Sequence, residues 1–105
     1  MTMKLAVEIT RFLDKSQPGW VEVEFTDAEG RRHIFRDKVP IFTDKDLDGA
    51  TAYPQPGGIR CEIVCESSDK LQNRIDTSRP DDLESTQGLS EFVVNSTQLS
   101  KVLTS

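Results

Sequence analysis

Trp20-Val21-Glu22-Val23-Glu24-Phe25-Thr26 alternates apolar and polar side chains; Asp27-Ala28-Glu29-Gly30 follows, and then Arg31-Arg32-His33-Ile34-Phe35-Arg36. Period-two alternation places Val21, Val23 and Phe25 on one face of a strand and Glu22 and Glu24 on the other. Asp-Ala-Glu-Gly suits a type I turn closed by a left-handed glycine, the three-residue hairpin loop. Such a turn sets the register of the strands that it joins. With Gly30 as the bulge residue, Asp27 faces Arg31, Phe25 faces His33, Val23 faces Phe35 and Glu22 faces Arg36. Core residues thus meet core residues, and a carboxylate meets a guanidinium on the reverse face. Ile34 falls opposite Glu24 on that polar face, which also carries Trp20. This side of the hairpin is therefore expected to be partly covered, by the C-terminal segment or by a partner.

Before the hairpin, Leu5, Val7 and Ile9 alternate with Ala6, Glu8 and Thr10, which predicts a first strand over 4–12. Pro18-Gly19 punctuates a polar loop. After the hairpin, Pro40 interrupts the third strand, and Ile41 and Phe42 turn into the core beyond it. Residues 43–52 are polar and rich in aspartate, and Tyr53-Pro54-Gln55-Pro56-Gly57-Gly58 reads as an extended loop. A strand carrying Ile59, Cys61, Ile63 and Cys65 on one face follows, then a turn at 67–70 and a returning strand over 71–77. Residues 78–88 suit at most one helical turn. Glu91-Phe92-Val93-Val94 is a short strand, and Asn95 or Ser96 can cap a last helix bearing Leu99, Val102 and Leu103. The chain is therefore expected to be one domain, 1–105, and mainly β. It should form a small antiparallel barrel or rolled sheet of about six short strands with a short C-terminal helix. An α+β sheet covered by that helix is the rival.

The chain has 105 residues, 35% hydrophobic and 30% charged, a length that suits one core rather than two. Thirteen Lys and Arg stand against eighteen Asp and Glu, a formal charge of −5. Nucleic acids and anionic membranes are disfavoured partners, because both are held largely by basic side chains. Arg31, Arg32, Arg36 and Lys38 make one basic strip, but Glu22, Glu24, Asp27 and Glu29 lie close enough to neutralise it. No apolar run reaches the ~20 residues that span a bilayer. The opening Met1-Thr2-Met3-Lys4 lacks a signal-peptide pattern, so a cytoplasmic location is expected. Cys61 and Cys65 lie about 13 Å apart along one strand, too far for a disulfide. They are expected as two buried free thiols in a reducing compartment.

Asp44-Lys45-Asp46-Leu47-Asp48-Gly49 resembles the first half of an EF-hand calcium loop, with carboxylates at positions 1, 3 and 5 and a glycine at 6. The second half departs from it: Thr51 stands at position 8 and Gln55 replaces the bidentate glutamate at 12, while Pro54 and Pro56 exclude an exiting helix. The resemblance implies calcium ligation by Asp44, Asp46 and Asp48 at millimolar affinity; the alternative is a solvated loop whose aspartates form turns. No cofactor is otherwise expected. His33 reads as a hydrogen-bonded residue at the end of the core face, and His33, Cys61 and Cys65 lack zinc-ligand spacing. There is no glycine-rich phosphate loop and no Gly-x-Ser-x-Gly elbow. Asp81, Asp82 and Glu84 read as a solvated run, and an enzyme is not expected.

Two functions remain. The first is a non-enzymatic, acidic protein-binding domain, in a concrete version an immunity or inhibitor protein that masks a basic partner, with Trp20, Glu22, Glu24, Ile34 and Tyr53 at the contact. The alternative is a β-barrel that binds a small ligand or calcium, with the Asp44–Gly49 loop or the Tyr53–Gly58 loop at its mouth.

Overall fold

The computed structural model describes residues 2–15 and 18–102. In chain order the elements are β1 (Thr2–Asp14), β2 (Trp20–Thr26), β3 (Arg32–Lys38), a single helical turn α1 (Val39–Phe42), β4 (Gln55–Glu66), β5 (Gln72–Asp76), β6 (Glu91–Asn95) and β7 (Leu99–Lys101). The strands pair antiparallel in the order β3-β2-β1-β4-β5-β6 and curl into a half-barrel, while β7 pairs β1. The mainly β expectation holds. No helix among the described residues is long and apolar enough to cross a membrane.

The β2–β3 hairpin has the register that its turn dictates: Phe25 opposite His33, Val23 opposite Phe35, Glu24 opposite Ile34 and Glu22 opposite Arg36. Gly30 sits at φ +83, where a Cβ would be strained. Asp27 holds the turn, its Oδ1 accepting the N–H of Glu29 at 2.9 Å and of Arg31 at 3.0 Å. Inward alternation along the strands then buries Leu5, Ile9, Val21, Val23, Phe35, Ile59, Cys61, Ile75 and Val94 completely. The Phe35 ring lies 6.0 Å from that of Phe25 and 5.8 Å from that of Phe92, so the core joins the first hairpin to β6.

Four details were not legible beforehand. Pro40 sits in the first turn of α1, where its missing N–H costs nothing, while Phe42 enters the core at 2% exposure, as the sequence predicts. The turn presses on β4 so closely that a Cβ on Gly57 would stand 2.9 Å from the Ile9 side chain and 3.1 Å from the Phe42 carbonyl oxygen. Next, the face predicted for Cys65 is corrected. Ile63 pairs with Ile75, but Cys65 pairs with Arg74, so Val64 is a bulge residue. One inserted residue turns the following side chains over, and Cys61 is buried while Cys65 is exposed.

The segment between β5 and β6 does more than connect them. Leu83 is only 2% exposed and belongs to the core. Thr77 Oγ1 donates to the Leu83 carbonyl at 2.9 Å. Thr86 N–H donates to the Ile34 carbonyl at 2.8 Å, and Arg60 on β4 holds Asp81 through Nε at 3.1 Å. The segment thus plugs the open side of the half-barrel, tied to β3 and β4, and gives the β3 edge a partner. At the C-terminus the helical element is one 3-10 turn, Ser96–Gln98, after which Leu99 pairs with Leu5 in the β1–β7 ladder. A helix of so few residues is marginal, whereas the edge of β1 beside β2 offers ladder partners to a strand. Leu103, expected on that helix, lies outside the described residues.

Candidate functional site

The outer face of β1, β2 and β3 carries Trp20, Glu22, Glu24 and Ile34, as the alternation requires. Its charges are paired within the sheet. Glu22 accepts from Arg11 Nε at 3.2 Å and from Arg36 Nε at 2.9 Å. The hydrogen bond from Arg11 and then that from Arg36 hold the Glu22 carboxyl below its ordinary value, against the opposing effect of burial. Glu24 stands 3.7 Å from Arg32. Trp20 is half-buried, flanked in the ladder by Asp14 and Lys38. Tyr53 is elsewhere: it packs against the core, and its hydroxyl donates to the Asp48 carbonyl at 2.7 Å. Four of the five candidate contact residues thus share a face, and both carboxylates there are already engaged.

A cavity of about 730 Å³ opens where the end of β1, the start of β2, α1 and the Asp44–Gly49 loop meet. Its apolar lining is Phe12, Val39 and Leu47. Asp44, Lys45, Asp46 and Asp48 are exposed around it, and Lys15 is a further lining residue. Asp48 works as a turn former, its Oδ1 accepting the Ala50 N–H at 2.8 Å and the Thr51 hydroxyl at 3.2 Å. Among the described residues no three His, Cys, Asp or Glu side chains gather closely enough to hold a metal ion. Asp44, Asp46 and Asp48 therefore share a cleft without converging as they would in an EF-hand loop. Asp44 and Asp46 have no ion-pair partner among the described residues.

His33 sits at the end of the core face, as expected, but its partner was missed. Its Nε2 lies 2.8 Å from Asp27 Oδ2, both side chains only 8% exposed. The ring packs 4.6 Å from Phe92 and 5.3 Å from Phe25. Burial pushes the Asp27 carboxyl up, but the hydrogen bonds from His33 and from the Arg31 and Glu29 N–H groups outweigh it, and the carboxyl lies below its ordinary value. An aspartate that opens a hairpin turn, followed by an inward histidine three residues past the glycine, is the signal that could have revealed the pair.

Burial pushes the Cys61 thiol up to about 12. Since the thiolate is the nucleophile, iodoacetamide at neutral pH is expected to label Cys65 and to spare Cys61 until the protein is unfolded. Mass spectrometry of the alkylated peptides reads this directly; equal labelling in the native state would contradict the Val64 bulge. Compared with known proteins, the chain matches no family model, no curated protein and no solved structure.

Proposed function

We propose that the chain is a non-enzymatic domain that captures a basic protein partner, in the manner of an immunity or inhibitor protein, and that the 730 Å³ cleft is the seat of capture. One observation carries this reading: Asp44 and Asp46 have no ion-pair partner among the described residues and stand around an apolar lining of Phe12, Val39 and Leu47, whereas Glu22 and Glu24 on the Trp20 face are already paired with arginines. An arginine or lysine beside an apolar residue suits such a cleft, the apolar part supplying affinity and the charge supplying register and on-rate. The formal charge of −5 favours the same class of partner. Trp20 and Ile34 do not line this cleft.

Selection from a random peptide library, followed by calorimetry at low and high salt, tests the proposal. The enriched peptides are expected to carry Arg or Lys next to an apolar side chain. Asp44→Asn combined with Asp46→Asn is expected to weaken their binding about tenfold, roughly 1.4 kcal/mol, and to flatten its salt dependence. Enrichment of acidic or uncharged peptides, or indifference to the double substitution, overturns it. A second reading has its own support, because 730 Å³ also falls within the roughly 300–1,000 Å³ of small-molecule sites. Thermal melts with small organic cations, and with calcium against EDTA, address that reading and the Asp44–Gly49 loop as a calcium ligand.

A further inference from the structure

Among the described residues that line the 730 Å³ cleft, Phe12 near the end of β1 carries the one aromatic ring. It is half-buried, packed against the core on one side and open to the cleft on another. Two glycines bracket it. A Cβ on Gly19 would stand 2.6 Å from the ring atom Cε1 and 2.8 Å from Cζ, and a Cβ on Gly49 would stand 3.9 Å from Cδ2. Cε1 and Cδ2 are para to each other, so backbone without side chains passes the ring at opposite ends. Neither glycine brings a group that could cover it. Gly49 also closes the loop that bears Asp44 and Asp46, which are exposed and have no ion-pair partner among the described residues. The ring and the two carboxylates therefore belong to one wall of the cleft. Lys15 and Lys45 line it as well, but three aspartates against two lysines leave it a negative surplus.

We propose, resting on the capture reading above, that the side chain this cleft receives is an arginine rather than a lysine, stacked on Phe12 with its guanidinium turned to Asp44 or Asp46. A guanidinium is flat and weakly hydrated, and it stacks on an aromatic face while its N–H fork meets a carboxylate. An ammonium is a compact, strongly hydrated point charge, which gains from the carboxylates but gives up more hydration to lie on a ring. The aspartates thus supply an attraction common to both cations. Phe12 determines the specificity, because only the planar cation gains fully from the ring. The two glycines serve this by leaving the ring uncovered.

Two short peptides that differ only in carrying arginine or lysine beside a leucine, each titrated into the full chain at neutral pH and followed by NMR, test this. The arginine peptide is expected to bind about fivefold more tightly, with its δ-CH2 protons shifted upfield by the Phe12 ring current. Phe12→Leu keeps an apolar side chain and is expected to bring the arginine peptide down to the affinity of the lysine peptide. Phe12→Tyr, which retains the ring, is expected to keep the preference. Asp44→Asn combined with Asp46→Asn is expected to weaken both peptides alike. The wild-type comparison and the upfield shift need no variant, so they decide the matter even if Phe12→Leu fails to fold. Equal binding of the two peptides to the wild type, or an arginine preference that survives Phe12→Leu, would overturn this inference and leave the capture reading standing. Failure of both peptides to bind would overturn the capture reading and this inference with it.

Discussion

Leu83→Ala is expected to lower the free energy of unfolding by about 3 kcal/mol, within the range for emptying a fully enclosed leucine site. The expectation rests on position in the fold, because Leu83 lies in a segment with no regular secondary structure, between β5 and β6. It is nonetheless 2% exposed. The backbone around it is pinned at Thr77, Thr86 and Asp81, so the site has little freedom to collapse into the space left behind. Leu71→Ala is the matched control. Leu71 is 65% exposed, and its substitution is expected to change stability by under about 0.5 kcal/mol. Urea unfolding of the two variants measures the difference. Equal, small effects would mean that the segment lies on the surface and does not plug the half-barrel. The hydrogen bond from Thr86 to Ile34 adds a second readout, since the Thr86 amide is expected to exchange faster with solvent in Leu83→Ala.

Asp27→Ala is expected to cost about 2–3 kcal/mol at neutral pH, because it orphans three donors at once: the His33 Nε2–H and the N–H groups of Glu29 and Arg31. The pair also holds the hairpin tip against β6, through the His33–Phe92 contact and the Ala28 N–H bonded to the Val93 carbonyl at 2.9 Å. The loss should depend on pH with a definite sign. The folded Asp27 carboxyl lies below its ordinary 3.8, so its contribution is complete above that value and is lost as the pH falls through the lower, folded one. Glu22, Asp69 and Asp76 are shifted in the same direction. The wild-type protein is therefore expected to lose stability as pH drops below about 4. The gap between it and Asp27→Asn should close over the same interval. Thermal melts from pH 2 to 7 follow both curves; a gap that stays constant into acid would show that Asp27 contributes nothing as a carboxylate.

The hairpin was readable in advance because its information is local. A four-residue turn with glycine at its end leaves one register, and that register carried Phe25 to His33, Val23 to Phe35 and Glu22 to Arg36. The EF-hand-like aspartates were equally local, and Asp48 forms a turn onto Ala50 and Thr51. The cysteine strand misled because alternation assumes an uninterrupted pleat, and nothing in Ile63-Val64-Cys65 announces a bulge. The charge of the Trp20 face was read correctly residue by residue. That Glu22 sits between two arginines became visible only when β1 brought Arg11 alongside it.

From the sequence by itself follow the six strands β1 to β6, the hairpin and its register, the inward faces of β1, β2 and β3, and the antiparallel, mainly β character. Each of these comes from side-chain periodicity or turn stereochemistry within about ten residues. Tertiary structure alone decided that an irregular segment plugs the half-barrel with Leu83. The same holds for the C-terminal end joining β1 as a strand, and for Asp27 and His33 becoming a buried pair against Phe92. In each case the deciding partner lies on a distant element. A buried site or an open ladder edge repays the ordering of a segment whose own pattern states no preference.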